Sequence, residues 1–207
     1  MPRLKDEIIN STLDQLKEVA NIGAGNAITA LSTLLNTKIN MSVVDVQVKE
    51  ITEVYELYET AEHFIIANLI EVTGGMRAVL LLTFEEQSAK EVIKWILGKA
   101  PEDIRELNEI EYSLMSEVGN ILGGSYLNAI GTFIDTRMNQ STPQIAIDMA
   151  CVILTLPAIE FCDENQDTII IESKFDDDQN ILKGSYILML DKESERHIIE
   201  TIGRRYG

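Results

Sequence analysis

Cysteine is scarce, with only Cys151 and Cys162 among 207 residues. No second pair stands at metal-ligand spacing, so a disulfide framework or a cysteine zinc site is not indicated. Histidine is as rare. His63 and His197 are too isolated to suggest a metal site. Positive charge is the larger deficit: Lys plus Arg number 17 against 34 Asp plus Glu, for a net charge of −17. Such a surface repels a phosphate backbone or an anionic membrane, which disfavours nucleic acid as a partner. Long apolar runs are missing too. The longest, 78–82 and 149–154, fall far short of the roughly 20 residues a membrane helix needs, so no membrane insertion is expected. Residues 1–7 turn acidic before any apolar stretch develops, unlike a signal peptide, and the expected location is cytoplasmic. What is present is ordinary: 45% hydrophobic and 25% charged residues, enough for a compact globular fold with a sizeable core.

The chain also repeats itself. Residues 14–22 match 113–121 at an offset of 99, and glycines follow both, Gly23 and Gly25 in the first half, Gly123 and Gly124 in the second. Residues 82–88 and 92–93 match 188–194 and 198–199 at an offset of 106. Each half reads as a long helix, several strands and a shorter closing helix, and the halves meet near 98–101. Apolar spacing predicts helices over 6–35, 85–97, 104–134 and 192–202. Strands are predicted over 39–51, 63–72, 76–84, 150–161, 168–175 and 182–190. Turn residues at 73–75 and 176–180 join strands directly, which favours antiparallel pairing with helices packed on the sheet. The expectation is an α+β fold of α/β layers: one domain over 1–207, made of two repeats of about 1–100 and 101–207 related by a pseudo-twofold axis.

At about 100° per residue, Asp14, Glu18 and Asn21 share one stripe of the first long helix. Ile9, Leu13, Leu16, Ala20, Ala24, Ala27 and Leu31 oppose them. Ser113, Glu117 and Asn120 share the corresponding stripe of the second, opposed by Tyr112, Met115, Gly119, Leu122, Tyr126, Ile130 and Phe133. A single exposed Glu-x-x-Asn is ordinary helix surface. Two copies at identical spacing are not, because neighbouring exposed positions diverged, as Gln15 against Leu114 and Lys17 against Ser116. Asparagine is also a weak helix former, so two mid-helix copies cost stability without packing gain. A carboxamide is neither nucleophile nor base near neutral pH, but it donates and accepts hydrogen bonds at once and can hold a water in line for attack. Phosphoryl transfer is chemistry in which such positioning suffices. The glutamate one turn earlier can pair with a partner's cation.

The pattern Asp/Ser-x3-Glu-x2-Asn-x22-Pro resembles the signature of the CheC, CheX and FliY family of chemotaxis phosphatases. The second copy is complete, with Ser113, Glu117, Asn120 and Pro143; the first has Asp14, Glu18 and Asn21 but Val44 in place of the proline. Two motifs in a chain of this length resemble the CheC type within that family. The resemblance implies hydrolysis of the aspartyl phosphate of the response regulator CheY. Asn21 and Asn120 would orient the attacking water, and Glu18 and Glu117 would pair with the regulator's lysine. Asp14, Ser113 and Pro143 would support them. It implies no cofactor of the chain's own, Mg2+ arriving with CheY, and the receptor deamidase CheD as a second partner, with residues 144–150, including Asp148, as its contact. The alternative is a non-catalytic CheY- or CheD-binding module of the adaptation or flagellar-switch kind.

Other features have plainer readings. Gly23, Gly25, Gly119, Gly123 and Gly124 lie inside helical periodicity and lack a phosphate loop's lysine and hydroxyl, so close helix packing is expected of them. Cys151 and Cys162 read as small core residues, and Asp176, Asp177 and Asp178 as a solvated hairpin turn without calcium-loop spacing.

Overall fold

A computed structural model of the chain describes residues 4–49, 63–161 and 168–206. They form five α-helices and seven strands. In chain order these are α1 (Leu4–Leu35), β1 (Ile39–Lys49), β2 (Phe64–Gly74), β3 (Ala78–Glu85) and α2 (Glu86–Leu97), then α3 (Glu109–Ile134), β4 (Met138–Gln140), β5 (Gln144–Met149), α4 (Ala150–Phe161), β6 (Thr168–Asp177), β7 (Lys183–Leu190) and α5 (Lys192–Tyr206). The end of the strand expected at 39–51 lies outside the described residues, as does Cys162.

All seven strands join one sheet, ordered β1-β6-β7-β3-β2-β4 with β5 also on β2, and every pairing is antiparallel. The strands of the two halves interleave: β1 pairs with β6, and β4 and β5 pair with β2. At the centre Leu81 of β3 faces Ile187 of β7, 106 residues further on, the offset at which the closing segments match. The larger core lies on one face, where α1 and α3 bring Leu16, Ala20, Ala24, Ala27, Leu31, Leu122, Tyr126 and Ile130 onto Ile66, Ile70, Leu80, Leu82 and Phe84. Tyr126 stacks on Tyr186 with ring centroids 5.2 Å apart. Burial of this kind stabilises by about 25 cal/mol for each Å² of apolar surface removed from water.

Three expectations change. Residues 150–161 form a helix, not a strand. The segment is twelve residues of nearly unbroken apolar character, a pattern in which periodicity cannot separate a buried strand from a buried helix. Helix α4 packs on the other face of the sheet, where Leu154 meets Val79, Leu81, Ile170, Ile187 and Met189. The helix expected at 104–134 starts at Glu109, after a short 3-10 turn at Ile104–Glu106. Asn108 stops it there by capping. Strands β4 and β5 are additional, too short and too polar at β4 to stand out by alternation. No helix among the described residues is long and apolar enough to cross a membrane.

Candidate functional site

The second motif stands on a well-anchored helix. Asn108 Oδ1 accepts hydrogen bonds from the backbone N–H groups of Ile110 and Glu111 at 2.9 and 3.1 Å, and Glu111 Oε2 accepts from the Asn108 N–H at 2.9 Å. This reciprocal capping satisfies donors that a helix N-terminus otherwise leaves open and fixes where the helical register begins. From that start Ser113, Glu117 and Asn120 all come to the exposed side. On α1, Asp14 and Glu18 are exposed and Asn21 is half-buried. Of the opposing stripes, Leu16, Ala20, Ala24, Ala27, Leu31, Met115, Gly119, Leu122, Tyr126 and Ile130 are buried and Leu13 and Phe133 half-buried, while the side chain of Ile9 lies outside the described residues. Tyr112, in the first turn of α3, is 45% exposed against expectation.

Glycines decide how closely these helices lie. A Cβ on Gly119 would sit 2.4 Å from Asn68 Cγ in β2, and one on Gly123 would sit 2.4 Å from Ile70 Cδ1. On Gly23 it would come within 2.9 Å of Ile130 Cγ1, at the seam between α1 and α3. These three carry the close packing expected of the glycine set. Gly25 faces open space and Gly124 only ordinary contact, so the expectation fails for those two.

The carboxylates of the two motifs are open to an outside cation. Among the described residues no Lys, Arg or His lies within ion-pair distance of Asp14, Glu18 or Glu117. Lys17, beside Glu18, leans instead to Asp45 of β1 at 3.8 Å. Asp45 is the cross-strand neighbour of Glu172, which is only 4% exposed. Burial holds the Glu172 carboxyl above the usual carboxylate range, against the pull of Lys174. Among the described residues no three His, Cys, Asp or Glu side chains gather as a metal site requires.

Pro143 is buried at the junction of β4 and β5. Along β2, Leu69 pairs with Gln144 and Val72 with Gln140, so three residues span where β2 uses two. This is a β-bulge, and a residue without an N–H is tolerated there. Ser141 repairs the interruption: its N–H donates to Glu71 O at 2.9 Å and its Oγ accepts from the Glu71 N–H at 3.0 Å. The extra residue reverses the alternation beyond it. Gln140 rather than Ser141 therefore lies opposite Val72, on the face that α3 covers. There Gln140 Nε2 donates to the Asn120 side-chain Oδ1 at 2.8 Å and to the Asn120 backbone O at 3.1 Å. Sequence reasoning missed Gln140, and only the bulge reveals which face it takes.

The first half has a similar irregularity without the proline. Register shifts between Met41 and Val43 of β1, and Val44 continues the ladder opposite Ser173. The side chain of Val44 lies outside the described residues. Asp148, in β5, is half-buried and accepts from the Met149 N–H through Oδ1 at 2.7 Å.

Comparison with known proteins gives a consistent picture. A family model described as CheC-like matches residues 12–43, which include Asp14, Glu18 and Asn21. The "CheY-P phosphatase CheC" of Bacillus subtilis (strain 168) is 26% identical over 195 residues, covering 92% of this chain and 93% of that protein. The "Flagellar motor switch phosphatase FliY" of the same organism is 25% identical over 143 residues, which is 69% of this chain and 37% of that one. The crystal structure of Thermotoga maritima FliY has the same fold: TM-score 0.74 at 20% identity, over 94% of this chain and 97% of that one.

Proposed function

From its likeness to CheC-like and FliY proteins, we propose that the chain belongs to the CheC/FliY family and hydrolyses the aspartyl phosphate of a CheY-type response regulator. The observation that carries the reading is the pair of Glu-x-x-Asn stripes, Glu18 with Asn21 and Glu117 with Asn120, on the outer sides of the two long helices, their carboxylates without an in-chain cation among the described residues. Each asparagine holds a water against the phosphorus of the bound partner. The water oxygen bonds to phosphorus, the bond to the aspartyl oxygen breaks, and the regulator's carboxylate and inorganic phosphate are the products. Each glutamate pairs with the regulator's active-site lysine and so fixes the docking angle. Mg2+ comes with the regulator and neutralises charge on the phosphoryl oxygens. Asp14, Ser113 and Pro143 support the two sites from their own elements. The work takes place in the cytoplasm, and CheD binds as a second partner near Asp148.

A net charge of −17 makes docking onto an acidic response regulator weak and salt-sensitive except where its lysines lie. Phosphorylated CheY with Mg2+, followed by release of inorganic phosphate, tests the reading. Acceleration over spontaneous loss is expected; a rate equal to spontaneous decay at saturating protein contradicts it.

A further inference from the structure

We propose that Gln140 is a positioning residue of the second site, locking the Asn120 carboxamide so that its NH2 end is the one held out to the phosphoryl group. The inference rests on the phosphatase reading for its consequence, though not for its geometry. Gln140 Nε2 lies between two oxygens, the backbone O and the side-chain Oδ1 of Asn120. A backbone carbonyl can only accept, so the Gln140 atom there must be the NH2 nitrogen, and that nitrogen in turn takes Oδ1 as acceptor. Both amide orientations are thereby fixed without reference to any ligand. Asn120 Nδ2 points the other way, and among the described residues nothing accepts from it.

The support behind Gln140 is rigid. Its backbone is paired with Val72 in the sheet, and its Oε1 is buried with no partner among the described residues. A buried amide oxygen left without a donor costs about 1–3 kcal/mol. Structural economy alone does not favour such a placement, whereas a need to hold Asn120 does. An isolated exposed asparagine samples several side-chain rotamers and both amide orientations. Held by Gln140, Asn120 offers two N–H donors outward, one for a lone pair of the attacking water and one for a phosphoryl oxygen, with the remaining water lone pair free to reach phosphorus.

The first site lacks this device. At the offset of 99 the counterpart of Gln140 is Met41, exposed beside its own bulge and opposite Phe175, and a thioether has no N–H to give. Asn21 is half-buried.

The test uses the full chain. In an N21A background, where only the second site can work, Q140M should lower kcat on phosphorylated CheY by about ten- to a hundredfold, the range a displaced positioning contact costs, with KM unchanged. Q140E, which can only accept, should turn the Asn120 amide around and lower kcat comparably. Q140M in an N120A background should have no effect, which excludes a general loss of fold. An unchanged kcat in N21A/Q140M overturns the proposal. Side-chain amide NMR provides an arm independent of turnover. Q140M should lower the order parameter of the Asn120 NH2 group, and an unaltered value overturns the lock. Failure of the phosphatase reading looks different: wild type itself would not accelerate phosphate release, while the NMR result would still decide whether Gln140 holds Asn120.

Discussion

Asn120 and Glu172 show two ways a polar side chain is placed against its intrinsic preference. Asn120 sits mid-helix, where alanine is favoured by a few tenths of a kcal/mol. Its spacing from Glu117 made it legible in the sequence, whereas its partner Gln140 was not. Gln140 occupies a three-residue strand whose face is set by a bulge, and no alternation over three residues can announce that. Glu172 lies in β6 with one oxygen unpaired among the described residues. A carboxyl raised by burial is most stably folded when protonated. The protein therefore loses stability as pH rises from the ordinary glutamate range through the raised folded value. Glu172→Gln removes that loss. Urea midpoints of variant and wild type should coincide near pH 4, with the variant higher at pH 8; equal midpoints at both pH values would show that Glu172 is ionised without penalty.

The helices account for how the candidate sites are presented. Asn108 starts α3, and Asn108→Ala should cost about 1 kcal/mol, measured as a denaturant midpoint shift at unchanged slope. Gly119 lets α3 approach β2 at Asn68, where an added methyl meets a fully buried side chain. Gly119→Ala should therefore destabilise by about 1–3 kcal/mol, while Gly25→Ala, facing open space, should stabilise slightly through helix propensity. Equal effects of the two would contradict the packing described. Both glycines read alike in the sequence, since helical periodicity gives a face but not a distance. The same limit explains residues 150–161: an apolar run with β-branched residues suits a strand locally, and only its place across the sheet, with Leu154 on Val79 and Ile187, selects helix.

At the scale of the whole molecule the antiparallel sheet with helices on its faces was legible, because turns at 73–75 and 176–180 leave no room for crossovers. The interleaving of strands was not, since β1 finds β6 through pairing that no local pattern encodes. One consequence is mechanical. With each half's strands completed by the other, residues 1–100 expressed alone should leave β1 without its β6 partner and lack cooperative unfolding; a cooperative melt of that fragment would contradict it.

In the proposed reaction Asn21 and Asn120 steer water onto a partner's phosphoryl group. Release of phosphate from phosphorylated CheY with Mg2+, compared among wild type, Asn21→Ala, Asn120→Ala and the double variant, is the decisive measurement. Each single variant should keep partial activity and the double variant should fall to spontaneous decay, with circular dichroism and binding of CheY retained. A double variant as fast as wild type would contradict it.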